Sequence, residues 1–323
     1  MTPDTADPSA LQKIVIIAGP TATGKTPCAI ELALSLGGEI VNCDSRQVYR
    51  SMDIGTAKPD REQRTTVPHA MIDVVDPSVR FSSAQYVTMA DACISDMTAR
   101  GKVPFVTGGT GFYIKALLHG LAPIPPLDDA VREDIRSRQR LEGNDALYEE
   151  LKRVDPEDAV RIRKNDTYRL VRALEVFTAT GRPLYGYTDE HRFTYEKYAY
   201  LYIILHDPDK IRYHAAIDQR VDGMIARGLV DEAQWLLRQG YSPDLPAMKT
   251  VGYREIFVYL NHETDLATAA GLIKQHTKAY AKRQVTWFKG IKNALWITMH
   301  DSKDRIQEII KGFIYAKNTE RFH

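Results

Sequence analysis

The stretch KIVIIAGPTATGKT, residues 13–26, decides the fold because an apolar strand leads into a glycine-rich loop and then a helix. Its last eight residues fit the pattern G-x-x-x-x-G-K-[ST]. In that pattern glycines let backbone N–H groups close around phosphate oxygens, the lysine neutralises them, and the last hydroxyl can bind Mg²⁺. Residues 28–36 predict the following helix, whose positive end faces the anion. We therefore predict a phosphate site formed by Gly19, Pro20, Thr21, Ala22, Thr23, Gly24, Lys25 and Thr26, with Mg²⁺ as the cofactor on Thr26.

The composition limits the class of protein. The chain has 323 residues, 44% of them apolar, and a net charge of +1, so no overall basic excess indicates nucleic-acid binding. The three cysteines have neither metal-site spacing nor the even number of a disulfide framework. Residues 1–12 predict a disordered polar tail, and the apolar runs are too short to span a bilayer. These features predict a cytoplasmic protein that does not enter membranes.

Apolar runs typical of strands alternate with helical patterns along most of the chain. This alternation predicts an α/β fold, a P-loop NTPase-like parallel sheet core flanked by helices. The core is assigned to residues 13–121 and 197–323, and its later part contains two long predicted helices, residues 211–239 and 267–289. The predicted strands are residues 14–17, 39–42, 103–106, 200–205 and 294–298.

The segment of residues 122–196 has a different character. It opens with the proline-rich run APIPPLDD and continues with charged helical patterns, without a good strand. The helical patterns cover residues 131–139, 146–154 and 166–178. We predict an inserted all-helical domain.

Two turns at predicted strand ends carry further chemistry. Asp44 follows the strand of residues 39–42, at the sheet edge where ligands bind in open α/β folds. Its position alone leaves a general base, a metal partner and a helix cap equally open. The strand of residues 103–106 ends in TGGTG, whereas a nucleoside triphosphatase has an Asp there. Thr110 and the backbone of this turn are therefore expected to face the same anion, and the triphosphatase interpretation is weakened.

The helix near the end of the chain has a basic stripe at every fourth residue, with Arg283 beside it. The stripe suits a phosphate backbone, although a solvated helix face explains its first two lysines equally well. The stripe is formed by Lys274, Lys278 and Lys282, and the side chains expected to face the core are Ile273, Tyr280, Trp287 and Phe288.

Seven motifs together resemble the tRNA dimethylallyltransferases, also called tRNA isopentenyltransferases. The resemblance covers about residues 14–290. It implies transfer of a dimethylallyl group from dimethylallyl diphosphate to the exocyclic amine of the adenine 3′ to a tRNA anticodon, without ATP. The motifs are GPTATGKT at 19–26, DSRQVYRSMDIGTAKP at 44–59, PHAMIDVVDP at 68–77, GGTGFYIKALLHGL at 108–121, NDTYRLVRALEV at 165–176, VGYRE at 251–255 and AKRQVTWFKG at 281–290.

The resemblance assigns roles to individual residues. Asp44 becomes the general base, while Thr110 and Arg220 join Lys25 on the departing diphosphate. The motif at 281–290 implies that Lys282, Arg283 and Gln284 lie near the site. The protein is expected to be a monomer that binds a tRNA anticodon stem-loop through the helical insertion and two core segments. The implied tRNA contacts are Asp44, Ser45, Arg46, Gln47, Thr110, Arg132, Tyr168, Arg169, Leu170, Val171, Arg172, Lys249, Thr250, Val251, Gly252, Tyr253 and Arg254.

One departure and three alternatives remain. Tyr168 stands where family members often have Gln, and it either stacks on a base or packs inward. A P-loop small-molecule kinase needs a carboxylate near the γ-phosphate, which the TGGTG turn lacks. An adenylate isopentenyltransferase shares the loop and the DS motif but prenylates free nucleotides, whereas the helical insertion favours a polymer. An RNA-binding module without activity has no need of Asp44, Thr110 and Arg220 together.

Overall fold

The computed structural model describes residues 11–316, so nearly all of the predicted tail of residues 1–12 lies outside the described residues. Within them, six strands form one sheet in which all neighbouring pairs are parallel. The strands are β1 Lys13–Ala18, β2 Gly38–Asn42, β3 His69–Ala70, β4 Val103–Gly108, β5 Ala199–Leu205 and β6 Leu295–Ile297. Their order across the sheet is β3-β2-β4-β1-β5-β6.

Helices connect the strands and cover the sheet, as parallel pairing requires. Those before the insertion are α1 Lys25–Ser35, α2 Arg61–Thr66, α3 Ser83–Ala99 and α4 Gly111–His119. The next four are α5 Asp129–Val154, α6 Pro156–Arg161, α7 Thr167–Thr180 and α8 Leu184–His191. The last five are α9 Lys210–Ala226, α10 Leu229–Arg238, α11 Tyr253–Leu260, α12 Leu266–Lys289 and α13 Lys303–Tyr315.

The central strand β1 shows why the sequence folds this way. Ile14 and Ile16 pack with α3 residues such as Tyr86 on one face of the sheet. Val15 and Ile17 pack against α1 and α13 on the other face. All four β1 side chains are fully buried. A continuous apolar run, rather than an alternating one, is the pattern of a parallel strand covered on both faces.

The predicted elements are confirmed with three differences. All five predicted strands are present, but β3 has only two residues at the sheet edge, which is too short for a recognisable apolar run. The predicted helix of residues 211–239 is two helices, because Gly228 has a φ of 96°. Conversely, the patterns at 131–139 and 146–154 belong to α5, which bends at Gly143 where φ is 79°. Such positive φ values suit glycine and interrupt a regular helix.

Two compact units divide the chain. One is His119–Tyr195, which contains α5 to α8 and no strand among its residues. Its apolar core includes Ile135, Leu147, Leu151 and Leu174, all on helices. The other unit contains the sheet and, within the described residues, is made of residues 11–118 and 196–316. The insertion predicted from the sequence covers residues 122–196, and so begins three residues later and ends one residue later than the helical unit. Among the described residues, no helix is long and apolar enough to cross a membrane.

Candidate active site

Three loops begin side by side at the carboxyl edge of the sheet. Ala18 at the end of β1 pairs with Gly108 of β4, and Asn42 at the end of β2 pairs with Thr107. The glycine-rich loop after β1, the Asp44 turn after β2 and the TGGTG turn at β4 therefore start on adjacent strands. This edge is where ligands bind in open α/β sheets. The topology brings together the motifs that are 90 residues apart along the chain.

The loop after β1 takes its shape from its own glycines and a local hydrogen bond. Gly19 has a φ of 147°, and a Cβ there would lie 2.3 Å from the Leu205 carbonyl oxygen. Gly24 has a φ of 79° and immediately precedes α1. The Thr23 hydroxyl donates to the Pro20 carbonyl oxygen across 2.9 Å. The loop therefore reaches the N-terminus of α1 in the form that exposes backbone amides to an anion.

Two side chains from distant helices fix the peptide groups of Thr21. The Thr21 amide donates to Gln284 Oε1 across 2.9 Å, while Gln284 Nε2 donates to the Gly109 carbonyl oxygen across 2.8 Å. The Tyr213 hydroxyl donates to the Thr21 carbonyl oxygen across 2.9 Å. Gln284 thus joins the loops that follow β1 and β4, as its motif indicated. Tyr213 was missed, because a single tyrosine on a helix carries no sequence signal of this contact.

The loop is flanked by two half-buried cations. Burial first, and then the charge of Arg220, lower the pKa of Lys25 to about 7, while Asp44 opposes the shift. Burial also lowers the pKa of Arg220, again against the attraction of Asp44. Lys25 Nζ donates to the Pro20 carbonyl oxygen across 2.6 Å. Within residues 11–316 neither cation has a carboxylate partner at ion-pair distance, and Asp44 acts on both only from farther away.

Asp44 lies close enough to Lys25 and Arg220 to affect both pKa values. Its Oδ1 accepts hydrogen bonds from the amides of Arg46 and Gln47, at 2.8 and 3.4 Å. One oxygen therefore caps a turn, and because no helix begins here among the described residues, the helix-cap alternative is wrong. Within the described chain, these are the only hydrogen bonds that the carboxylate makes. The other oxygen accepts no hydrogen bond from a described residue.

Thr110 is held beside this turn. Its Oγ1 accepts from the Ser45 amide across 3.0 Å, and its own amide donates to the Cys43 carbonyl oxygen across 3.3 Å. The close approach requires Gly108, because a Cβ there would lie 1.9 Å from the Cys43 carbonyl oxygen. The predicted grouping of Asp44 and Thr110 is therefore present in the structure. The hydroxyl helps to fix the Asp44 turn by holding Ser45.

Gln47, which the resemblance assigns to the target base, has a different set of contacts. Its side chain is buried, and Nε2 donates to the carbonyl oxygens of Thr56 and Ala57, each across 3.1 Å. The side-chain nitrogen of Gln47 therefore already has its hydrogen-bond partners within the protein. Arg46 extends outward and donates from Nη1 to the Pro246 carbonyl oxygen across 3.0 Å. Of these two, Arg46 is the one whose side chain reaches the surface.

The segment of residues 249–254 presents only part of its predicted tRNA surface. Thr250 is buried and donates to the Ala247 carbonyl oxygen across 2.6 Å. Tyr253 is fully buried and donates its hydroxyl to Glu232 across 2.6 Å. Val251 is half-buried and Gly252 buried, whereas Lys249 and Arg254 are exposed. Direct contact by the Tyr253 ring is therefore excluded in this conformation, because the ring belongs to the core.

In the helical unit, α7 separates the predicted residues into two faces. Leu170 and Val171 are buried in the core of this unit, so their side chains do not face solvent. Tyr168 is 80% exposed, which excludes the inward-packing alternative for this residue. Arg169 is exposed and pairs with Asp166 at 3.3 Å. The remaining two arginines are half-buried and form ion pairs, Arg132 with Asp129 at 2.8 Å and Arg172 with Glu175 at 3.2 Å.

The predicted basic stripe on α12 is only partly available. Lys274 pairs with Asp222 and Lys278 with Asp218, each at 2.7 Å. These two lysines tie α12 to α9, and a contact of theirs with a phosphate backbone stays a prediction. Lys282 and Arg283 are exposed and form no ion pair with any described residue.

Two aromatic side chains of α12 were also placed wrongly. Ile273 and Phe288 are buried as predicted, but Tyr280 and Trp287 are each 37% exposed. Burial, and then Asp44, raise the pKa of Tyr280 to about 12, which locates this ring near the Asp44 turn. A Cβ on Gly111 would lie 2.0 Å from Trp287 Nε1. The helical period predicted one apolar face, whereas these rings lie beside the loops after β2 and β4.

The sequence of the chain matches two known protein families. A family described as IPP transferase matches residues 47–291, and one described as isopentenyl transferase matches residues 12–73. The chain belongs to the IPP transferase family. A family member from Geobacter metallireducens, named tRNA dimethylallyltransferase, is 46% identical over 303 residues, which are 94% of this chain and 98% of the relative. The tRNA dimethylallyltransferase of Geobacter sulfurreducens is 46% identical over 301 residues, covering 93% and 96%.

Solved structures of the family share the fold. A tRNA isopentenylpyrophosphate transferase from Bacillus halodurans has a TM-score of 0.71 and 35% identity, covering 97% of this chain and all of the other. A eukaryotic dimethylallyltransferase acting on tRNA has a TM-score of 0.78 and 28% identity, covering 94% and 79%. The P-loop-like sheet with flanking helices is therefore the fold of the family.

Proposed function

We propose that the protein transfers the dimethylallyl group of dimethylallyl diphosphate to N6 of the adenine on the 3′ side of a tRNA anticodon. The products are N6-dimethylallyladenosine and diphosphate. The observation that carries the proposal is one carboxylate, Asp44, beside two cations that have no carboxylate partner, Lys25 and Arg220. Such a site combines a proton acceptor with the charge that a departing diphosphate needs. tRNA dimethylallyltransferase is also the activity named for relatives that align over nearly the whole chain.

On the donor side, the diphosphate occupies the loop after β1. The positive end of α1 and the loop amides face its oxygens. Lys25 and Arg220 neutralise the charge that grows on the bridging oxygen as the carbon–oxygen bond breaks. Preorganised donors of this kind stabilise the transition state without having to reorient during the reaction. Gln284 and Tyr213 hold Thr21 in place, and so maintain the curvature of the loop.

Magnesium is proposed as the cofactor, and the donor set fits it. Mg²⁺ prefers oxygen ligands and usually keeps several waters besides substrate phosphates. The Thr26 hydroxyl is half-buried at the start of α1 and makes no hydrogen bond with any described residue. No group of three or more acidic, histidine or cysteine side chains able to hold a metal occurs in residues 11–316, so waters and phosphate oxygens would supply the other ligands. Bound there with the diphosphate, Mg²⁺ would offset negative charge.

On the acceptor side, Asp44 removes the proton from N6. The adenine amine is a poor nucleophile because its lone pair is delocalised into the ring, and a positioned base contributes about 10²–10⁴ in rate. The N6–carbon bond forms as the carbon–oxygen bond of the donor breaks, and the proton passes to Asp44. The base must leave its stack to reach this position, at a cost of a few kcal/mol. The exposed rings of Tyr280 and Trp287 are suited to stacking.

tRNA binding is proposed to involve exposed groups on both units. On the sheet unit these are Lys249 and Arg254, together with the half-buried Arg46, and on the helical unit Tyr168 and Arg169. Lys282 and Arg283 add exposed positive charge near the end of α12. The protein is proposed to act as a monomer on the anticodon stem-loop.

A transfer assay tests the proposal. The protein is incubated with Mg²⁺, labelled dimethylallyl diphosphate and either unmodified tRNA or AMP, and the digested product is identified. Label in the adenosine beside the anticodon supports the proposed reaction. Label in AMP alone would indicate an enzyme that prenylates free nucleotides. Label in neither acceptor, together with ATP turnover, would indicate a kinase.

A further inference from the structure

Glu232 on α10 makes contacts that the chemistry above does not explain. Its carboxylate accepts hydrogen bonds from three successive amides, those of Asp53, Ile54 and Gly55. The distances are 2.9, 2.9 and 3.0 Å. The Tyr253 hydroxyl donates to the same carboxylate across 2.6 Å. The side chain is half-buried, and about 178 residues separate it from the turn that it holds.

Four donors converging on one carboxylate form a strong local restraint. Hydrogen bonds to an ionised acceptor are shorter and stronger than those between neutral groups. Three consecutive amides that point to one side require a turn whose shape depends on an anion placed among them. No Lys or Arg of the described chain pairs with Glu232. The carboxylate therefore serves the turn of residues 53–55 instead of an ion pair.

This turn is connected to Asp44 through Gln47. The carbonyl oxygens of Thr56 and Ala57, directly after the turn, accept both hydrogen bonds of the Gln47 side chain. The backbone N–H of Gln47 in turn donates to Asp44 Oδ1 across 3.4 Å. A continuous chain of contacts therefore leads from Glu232 through residues 53–57 to the carboxylate assigned as general base.

The other partner of Glu232 lies in the proposed tRNA-binding segment. Tyr253 packs closely against Gly55 of the turn, since a Cβ on Gly55 would lie 2.4 Å from the Tyr253 ring. Directly beside Tyr253 are Gly252, whose amide donates to Glu255 across 2.7 Å, and the exposed Arg254. Glu232 therefore holds the base-bearing loop and the segment of residues 249–254 at the same time.

We propose that Glu232 is a positioning residue for the acceptor side of the reaction. It fixes the 53–57 turn, and through Gln47 it sets the orientation of Asp44 relative to the segment that receives tRNA. This inference rests on the proposed function. The loop of residues 19–26 has no contact in this chain of hydrogen bonds, so donor binding is expected to be independent of Glu232.

The test compares Glu232→Gln with Asp231→Asn, in the full-length protein. Gln keeps the length of the side chain but turns an amide group toward donors that need an acceptor. Asp231 is the exposed neighbour on the same helix and provides the same loss of charge. The single-turnover rate constant for transfer to saturating tRNA is expected to fall at least tenfold in E232Q and less than twofold in D231N. The Kd of dimethylallyl diphosphate, measured without tRNA, is expected to change less than twofold in both.

The measurements separate positioning from simple destabilisation. Rates are expressed per donor-binding site, counted by titration, so loss of folded protein does not imitate a slower reaction. An unchanged rate per site in E232Q overturns the inference, even when its Tm is lower. If E232Q does not fold, Tyr253→Phe removes one partner of Glu232, and the expected result is a two- to fivefold lower rate; an unchanged rate contradicts the inference. Absence of transfer by the unaltered enzyme contradicts the proposed function itself.

Discussion

The loop of residues 19–26 and the loop of residues 43–58 begin on neighbouring parts of the same sheet edge, but their charges are satisfied differently. In the first, Lys25 and Arg220 have no carboxylate partner in the described chain. In the second, the ammonium of Lys58 is almost fully buried and pairs with Asp53 and Asp73 at 2.5 and 2.6 Å. The cations of the first loop therefore gain a close partner only when an anion binds, whereas the buried cation of the second loop is paired within the protein.

This difference suits the two halves of the reaction. A donor site must exchange a diphosphate of high charge, and cations without partners provide affinity for each new molecule. An acceptor site must hold one carboxylate in a fixed orientation while a base from tRNA arrives. Preorganisation lowers the cost of reaching the transition state there. The price of the donor arrangement is stability in the ligand-free protein, since half-buried charges without partners oppose folding.

Replacing Asp44 by Asn is expected to have the largest effect. Asn keeps the capping contact to the Arg46 amide but cannot accept the proton of the adenine amine. Turnover should fall at least a hundredfold, in line with the contribution of a general base. Single-turnover transfer to saturating tRNA measures this, with the affinities for tRNA and donor as controls for an intact site. A near-normal rate would show that Asp44 is not the general base and that the 43–58 loop serves only in binding.

A matched pair of lysine substitutions tests the contrast directly. Lys58→Met leaves two aspartates without their buried partner and is expected to lower the free energy of unfolding by roughly 2–3 kcal/mol. Lys25→Met removes a cation that burial disfavours, so the stability of the ligand-free protein should stay the same or rise, while donor affinity falls.

Urea unfolding of both variants without ligands, together with donor titrations, measures these effects. Equal destabilisation by the two substitutions would show that Lys25 stabilises the ligand-free protein as much as the paired Lys58 does. The proposed contrast would then be wrong.

The pH dependence of donor binding sharpens the description of Lys25. With a pKa of about 7 in the ligand-free protein, Lys25 loses its proton as the pH rises from 7 to 9. Bound diphosphate favours the charged form and raises the pKa, so binding above pH 7 requires uptake of a proton. Donor affinity should therefore fall by up to about tenfold per pH unit in this range.

Calorimetric titrations with dimethylallyl diphosphate at pH 7, 8 and 9, in buffers of different ionisation enthalpy, report both affinity and proton uptake. Lys25→Arg is the control, because arginine stays charged throughout the range. Ionisation of the donor is common to both proteins and cancels in the comparison. If the two proteins show the same pH profile, Lys25 does not titrate in the free site.

The sequence predicted the parts of this site that are local in the chain. The strand, loop and helix of residues 13–35 are contiguous, so apolar runs and glycines locate the phosphate loop without knowledge of the fold. Asp44 and Thr110 could be placed because each follows a recognisable strand. Parallel pairing then requires the ends of those strands to meet at one edge.

The contacts that shape the site come from distant helices and could not be predicted in the same way. Gln284 and Thr21 are 263 residues apart, and Glu232 and Ile54 are 178 apart. Neither contact leaves a periodic pattern, because each depends on how α10 or α12 packs. Tyr280 shows the same limit: an aromatic residue at a helical spacing predicts a core position, and only the packed structure places it beside Asp44.

The smallest predicted effect concerns one hydrogen bond of the donor loop. Tyr213→Phe removes the hydroxyl that donates to the Thr21 carbonyl oxygen, while the ring, which packs with Ile217 and Ala281, remains. A neutral hydrogen bond contributes about 0.5–1.5 kcal/mol, so donor affinity should fall roughly two- to tenfold, without loss of tRNA affinity. Tyr241→Phe is the matched control, because it deletes a hydroxyl that donates to Asp76, away from the phosphate loop. Donor titrations of both variants measure the difference. If they bind the donor equally well, the glycines of the loop and Gln284 maintain its shape without the Tyr213 hydroxyl, and Tyr213 has no part in donor binding.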